Sequence, residues 1–286
     1  MSLKTKDIEI HPTAIVEPSV KLGKHVVVEP YAIVRGNVAL HDGVVIKSHA
    51  YVDGNTEIGE GSIIWPFACV GTKTQDLKYK GERTYVRIGK KTEIREYVTI
   101  NSSCGEETEV VVGDHCLIMA YCHIAHNCVV GNHVIMANNS TLAGHVTVDD
   151  FAIIGGMTPI HQFVRVGSYA MVGGMSRVTK DIPPYTVGGG CPYKLGGLNI
   201  VGLKRHRFSL SVRKDLTKAF KLTYRSSLKL EDSVSRIRME IPPSKYIDYW
   251  VDFCTSSKRG LICMEGVTKI DVEEKEEAIN QLLEVR

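Results

Sequence analysis

From Ile10 to Val178 the chain sets an aliphatic side chain at every sixth residue. The series runs Val16, Leu22, Val28, Val34, Leu40, Ile46, Val52, Ile58, Ile64, Val70, resumes at Ile88, Ile94 and Ile100, and returns at Val112. It then continues through Ile118, Ile124, Val130, Met136, Leu142, Val148, Ile154, Ile160, Val166 and Val172. Of 29 lattice positions only Asp76, Glu82 and Glu106 fail, so chance is excluded. Two residues before each aliphatic stands a small or β-branched one, as at Ala14, Val26, Ala50, Ser62, Val98, Cys122, Ser140, Ala152 and Ser176. A spacing of two puts both side chains on one face of a short strand. A helix is excluded, because a period of six does not keep one face of a 3.6-residue helix buried.

Glycine often follows the aliphatic directly, as at Gly23, Gly59, Gly89, Gly113, Gly131 and Gly167, and there the sharp turn is expected. Three hexads close one triangular coil, and stacked coils pair in parallel around a core of the two columns. The pattern resembles the hexapeptide-repeat, left-handed parallel β-helix family. The handedness is implied by that resemblance alone, since the general preference of crossovers is right-handed. The lattice failures mark two polar outward loops, near 72–85 and 102–109. Extruding them removes two hexads and then one, a whole coil in all, which restores the phase. Loops on a rigid scaffold are where function concentrates.

The pattern stops at Asp181-Ile182-Pro183-Pro184, and the remainder of the chain reads as helical. Ser209 is a candidate cap for a helix burying Leu216, Ala219, Phe220 and Thr223. Leu230, Val234 and Ile237 fit a second helix, and Tyr246, Tyr249, Trp250 and Phe253 a third. We therefore divide the chain into a β-helix, 1–190, and a C-terminal helical domain, 191–286, that covers the open end of the coil. The tail from about Lys269 is charged, a surface helix or a loosely ordered segment.

With 35 basic and 32 acidic residues the net charge is +3, too little for a nucleic-acid binder. No apolar stretch is long enough for a transmembrane helix, and MSLKTKDIEI lacks a signal-peptide core, so a cytoplasmic location is expected. Of the eight cysteines, Cys116, Cys122 and Cys128 fall in the small-residue column as core residues. The other five show no CxxC spacing.

Four of eleven histidines gather in one section. Ile124, Leu142 and Ile160 are three hexads apart and stack on one wall, so His123, His126, His145 and His161 converge near one corner. Two chemistries fit such a cluster: zinc bound by neutral imidazoles, or a general base with companions that position a polar substrate.

The surrounding segments decide between them. HIAHNC at 123–128, LAGHVTVDDFAIIGGM at 142–157, HQF at 161–163, QDLKYKGE at 75–82 and GLNIVGLKR at 197–205 together resemble the acyl-[acyl-carrier-protein]–UDP-N-acetylglucosamine O-acyltransferase family, which opens lipid A synthesis. The resemblance covers about residues 8–265. It implies that His126 is the general base for the sugar 3-hydroxyl, and that the Gly144 N–H serves the oxyanion. It further implies that His123, His145 and His161 position the nucleotide sugar. Gln75, Asp76 and Lys78 would reach the glucosamine or acyl group across a subunit boundary, while Asn199 and Arg205 would contact the nucleotide. The basic run Lys204-Arg205-His206-Arg207 reads either as a solvated helix face or as a contact for phosphates and an acidic carrier protein. Gly174 aligns with the position that limits acyl-chain depth, and a glycine there suggests room for a long chain. The implied assembly is a homotrimer, with acyl carrier protein as donor and neither metal nor cofactor. Two residues depart from better-known members: Asn127 replaces an aspartate after the base, and Val201 replaces an acidic residue before GLKR.

Three alternatives stand beside this one. A zinc hydratase of the same fold would show stoichiometric metal lost together with activity. The later N-acyltransferase of the pathway carries a substantial domain before its coils, whereas these coils begin near Ile10. A non-catalytic scaffold would be indifferent to loss of His126.

Overall fold

A computed structural model describes residues 8–264; the expectation for the tail from Lys269 lies outside them. The hexads form 25 short parallel strands, Glu9–Ile10 through Met171–Val172, arranged as three walls of a triangular prism. The first wall begins with Glu9–Ile10, the second with Ile15–Val16 and the third with Lys21–Leu22. Most strands contain only two residues, and each pairs with the strand one coil away, as Val28 pairs with Ile46. The register measures the loops directly. Glu9 pairs with Val27, three hexads on, whereas Ile63 pairs with Glu93 and Glu93 with Leu117, steps longer by two hexads and by one. Both loops leave the second wall and return to the third, so they emerge from the same corner in successive coils. The fold is thus the left-handed parallel β-helix, followed by a helical region.

Inside, the lattice aliphatics from Val28 to Val178 are buried, with Val26, Ala32, Ala68, Cys122 and Ala152 of the small column beside them. Cys116, Cys122 and Cys128 belong to this core, and burial pushes the Cys116 thiol up to about 11. All eight cysteines are free. Outside, the first wall carries a nearly unbroken apolar column of half-exposed residues, Val27, Val45, Ile63, Leu117, Ile135 and Ile153, ending in exposed Met171. The third wall instead carries charge: Arg87 bonds Glu57 and Glu109 at 2.7 and 2.6 Å.

The turns correct one expectation. The left-handed residue of each corner stands three places after the aliphatic, at His25, Phe67, Tyr97, His133 and His145, with φ between 56° and 62°. Apart from Gly71, the glycines that directly follow the aliphatic have no positive φ. Their reason is contact between coils. A Cβ on Gly59 would lie 2.6 Å from the Gly89 carbonyl carbon, and one on Gly113 2.6 Å from the Gly131 oxygen. The left-handed residues, at about 1–2 kcal/mol each, recover stability by stacking. At the first corner, between the first and second walls, Tyr31, His49, Phe67, Tyr97 and Tyr121 form a ladder with ring centroids 4.9–5.1 Å apart.

After Val178 parallel pairing continues to Thr186–Gly189, and Lys194–Leu198 then turns back antiparallel. Among the described residues four helices follow: α1 (Ile200–Arg205), α2 (Leu210–Tyr224), α3 (Leu230–Glu240) and α4 (Lys245–Thr255). Ser209 caps α2, its hydroxyl accepting from the Val212 N–H at 3.2 Å. The helices lean on the third corner as well as the coil end: the Tyr249 hydroxyl donates to Asp149 at 2.6 Å, and Arg165 lies over the Phe253 ring. None of them is long and apolar enough to cross a membrane.

Candidate active site

The second corner is where the repeat is interrupted. The loop 73–84 folds back over it, shaped by its own polar groups. Asp76 accepts from the Lys78 N–H at 2.9 Å, and the Tyr79 N–H donates to the Asp76 carbonyl. The loop 102–108 lies beside it, joined by the Glu107 N–H donating to the Arg83 carbonyl at 2.8 Å. Above both loops the next coil presents His126 and Asn127, and the coil after that Gly144 and His145.

His126 is the centre of this group, with a side chain 17% exposed. Its Nε2 lies 3.6 Å from an Asp76 carboxylate oxygen, and its Nδ1 lies 2.9 Å from the Asn127 amide oxygen. The His145 ring meets it edge-on, with centroids 5.2 Å apart, and itself stacks on Phe163 at 4.6 Å. Gly144 lies under the ring so closely that a Cβ there would stand 2.4 Å from both Cε1 and Nε2. A glycine is therefore a steric requirement for His126 in this rotamer.

The same glycine carries an open donor. In the regular hexads that carry no proline there, the N–H two places after the aliphatic stands outside the coil-to-coil ladder. At several third-corner positions side chains tie it: Asp42 accepts from Lys24, Asn132 from Asp114 and Asp150 from Asn132, at 2.7–2.8 Å. The Gly144 N–H has no acceptor among the described residues, although it lies beside the His126 ring.

Electrostatics disfavour charge on two of the imidazoles at this corner. Burial, and secondly the charge of His126, hold His123 and His145 below the usual histidine range. Asp76 lies below the usual carboxylate range, chiefly through the Lys78 N–H bonded to it, with the His126 charge assisting against desolvation. Neutral neighbours and one carboxylate suit an imidazolium that forms transiently on His126.

His126, Asp76, Gly144 and His145 thus meet within one chain, with Asp76 facing the His126 ring. His123 points outward from the second wall, its Nδ1 2.7 Å from the Thr99 hydroxyl. Thr99 escaped the sequence reading, although the lattice pairs it with His123 in register. His161 is exposed one coil beyond Gly144, its ring Nδ1 3.2 Å from the Gln162 carbonyl. Gln75 and Lys78 extend from the loop into solvent. Three residues are not brought here. Gly174 lies at the first corner, where a Cβ would meet the Gly156 oxygen at 3.2 Å. Asn199 is at the third corner as the cap of α1, accepting from Gly202 and donating to the Tyr169 carbonyl, both at 3.0 Å. Arg205, in the last turn of α1, is exposed there, and Val201 is also exposed. Among the described residues no three His, Cys, Asp or Glu side chains converge as metal ligands would.

Comparison with known proteins gives concordant matches. A family model described as bacterial transferase hexapeptide (six repeats) matches residues 109–144, and another, described as UDP N-acetylglucosamine O-acyltransferase, domain 2, matches residues 181–262. The chain is 52% identical over 253 residues to an acyl-[acyl-carrier-protein]–UDP-N-acetylglucosamine O-acyltransferase of Chlamydia caviae, across 88% of this chain and 91% of that one. A solved UDP-N-acetylglucosamine acyltransferase from Campylobacter jejuni matches with a TM-score of 0.85 at 39% identity, over 90% of this chain and 100% of that chain. One from Arabidopsis matches with a TM-score of 0.79 at 35% identity, over 89% and 99%.

Proposed function

The chain belongs to the acyl-[acyl-carrier-protein]–UDP-N-acetylglucosamine O-acyltransferase family, and from this we propose how its second corner performs the transfer. The reaction moves an acyl chain from acyl carrier protein to UDP-N-acetylglucosamine, the first step of lipid A biosynthesis. In our reading the sugar 3-hydroxyl enters between His126 Nε2 and the Asp76 carboxylate. As its oxygen attacks the thioester carbonyl, the proton passes to Nε2. The oxyanion of the tetrahedral intermediate accepts the Gly144 N–H. Collapse breaks the carbon–sulfur bond, and the departing thiolate takes the proton from His126, leaving ester, thiol and neutral imidazole. Catalysis of this kind contributes about 10²–10⁴-fold.

The observation that carries the reading is the His126–Gly144 contact beside an unbonded N–H, base and oxyanion donor on adjoining coils. His123, His145, His161, Gln75 and Lys78 are assigned to the nucleotide sugar. Transfer measured with UDP-N-acetylglucosamine and carrier-bound acyl chains of graded length tests the proposal. His126→Ala is expected to lose at least about a hundredfold; transfer at the unmodified rate would leave only a scaffold.

We further propose a homotrimer whose sites are completed between copies. The apolar outer column of the first wall is a surface a second copy would bury. Gly174, Asn199 and Arg205, at the other two corners, would reach the acyl chain and nucleotide only from a neighbour. Ile135→Asp in the centre of that column is expected to give monomers by light scattering and to abolish transfer; an active monomer would refute this assembly. Acyl carrier protein and the nucleotide sugar as partners suit a cytoplasmic enzyme, with the coil at 1–190 and the helical domain at 191–286.

A further inference from the structure

We propose that the loop 102–108 acts on the reaction through Asn127, as a lock on the tautomer of His126. Cys104 and Asn127 are then positioning residues, and the proposal rests on the reading of His126 as the base. The Cys104 N–H donates to the Asn127 amide oxygen at 3.2 Å, and the Asn127 NH₂ donates to the Cys104 carbonyl at 3.1 Å. A half-turn of the amide would set donor against donor and oxygen against oxygen, so one orientation survives. In that orientation the group facing His126 Nδ1, at 2.9 Å, is an oxygen with no hydrogen to give. The proton of the neutral ring is therefore on Nδ1, and Nε2 keeps its lone pair toward Asp76. Gly144 beneath the ring and His145 edge-on against it hold that ring orientation.

The lock is specific to an amide. A carboxylate at 127 would still accept from the ring and from the Cys104 N–H, but its second oxygen would face the Cys104 carbonyl with no hydrogen between them. The loop would lose one bond and gain a repulsion. Asn127 and the Cys104 backbone thus form a matched pair, and an aspartate here would be no improvement even though it stabilises an imidazolium.

The test begins with the unmodified full-length protein. Nitrogen-15 NMR of labelled histidines, with the His126 signal identified by its loss in His126→Asn, is expected to show hydrogen on Nδ1 and a bare Nε2. Asn127→Asp is expected to lower kcat about ten-fold with KM nearly unchanged, and to move the acid limb of the kcat–pH profile upward, because the added charge favours the protonated ring. Asn127→Ala is expected to populate the Nε2–H tautomer. Hydrogen on Nε2 in the unmodified protein would overturn the lock, as would an Asn127→Asp enzyme with undiminished kcat and an unmoved pH profile. Failure of the base reading is a separate result: His126→Ala would remain active whatever the tautomer.

Discussion

The first and second corners of the prism are built from the same hexad and put the same left-handed residue at the turn, yet they do different work. At the first corner that residue is repeatedly a ring, and Tyr31 through Tyr121 stack without a break across five coils. At the second, two coils open into loops and the next places Asn127 where a ring would otherwise stack. One corner is a rigid pillar, the other a shelf. The regular repeat supplies precision, and its interruption supplies the room that chemistry needs.

The sharpest way to break this comparison is to add one methyl group at equivalent places. Gly144→Ala drives a Cβ into the His126 ring and is expected to approach the loss of His126→Ala, about a hundredfold in kcat. Gly156 occupies the corresponding step of the first corner, where a Cβ would meet the Asn138 oxygen at 3.1 Å and no catalytic ring. Gly156→Ala is expected to keep kcat within a few-fold; equal losses in the two variants would show that coil packing alone, and not the shelf, is being disturbed. Next in size, Asp76→Asn removes the negative charge facing Nε2 and is expected to lower kcat/KM about ten-fold, the size of one charge-assisted bond. Steady-state kinetics that return the unmodified value would separate Asp76 from the site.

Tyr97→Ala tests the pillar. It removes stacking on both Phe67 and Tyr121, an expected cost of about 1–3 kcal/mol at about 0.5–1.5 per pair, read as a lower melting temperature with kcat unchanged. Loss of kcat at full stability would mean the first corner communicates with the shelf. The smallest effect is expected from Thr99→Val, which deletes the bond to His123 and costs about 1 kcal/mol in substrate binding, a several-fold rise in KM for the nucleotide sugar. No change in KM would remove His123 from the substrate surface.

Much of the shelf was legible in the chain. Lattice counting puts both loops after second-wall aliphatics, Val70 and Ile100, and puts His126 and His145 one above the other. The turns were not legible in the same way, because glycine has two physical uses. At Gly59 and Gly113 it admits the neighbouring coil, while the left-handed positions went to Tyr97 and His133, residue types with no strong turn signature. The apolar outer column of the first wall was present as Val27, Val45 and Ile63, one place before each buried aliphatic, but two-residue strands offer too little alternation to draw notice to it. Beyond Val178 the chain leaves the lattice, and register no longer says which corner Asn199 or Arg205 approaches. The Asn127 lock depends on a backbone contact from another coil, which no spacing encodes.

The N–H that many hexads carry two places after the aliphatic has a consequence for how such folds diversify. Many storeys of the prism carry a hydrogen-bond donor at a corner, silenced at several of them by a carboxylate or amide from the storey next to it. Removing that silencer and trimming one side chain to glycine is enough to open a berth for a developing negative charge. A pocket could in this way migrate up or down the axis by single floors, with no new backbone geometry invented at any step.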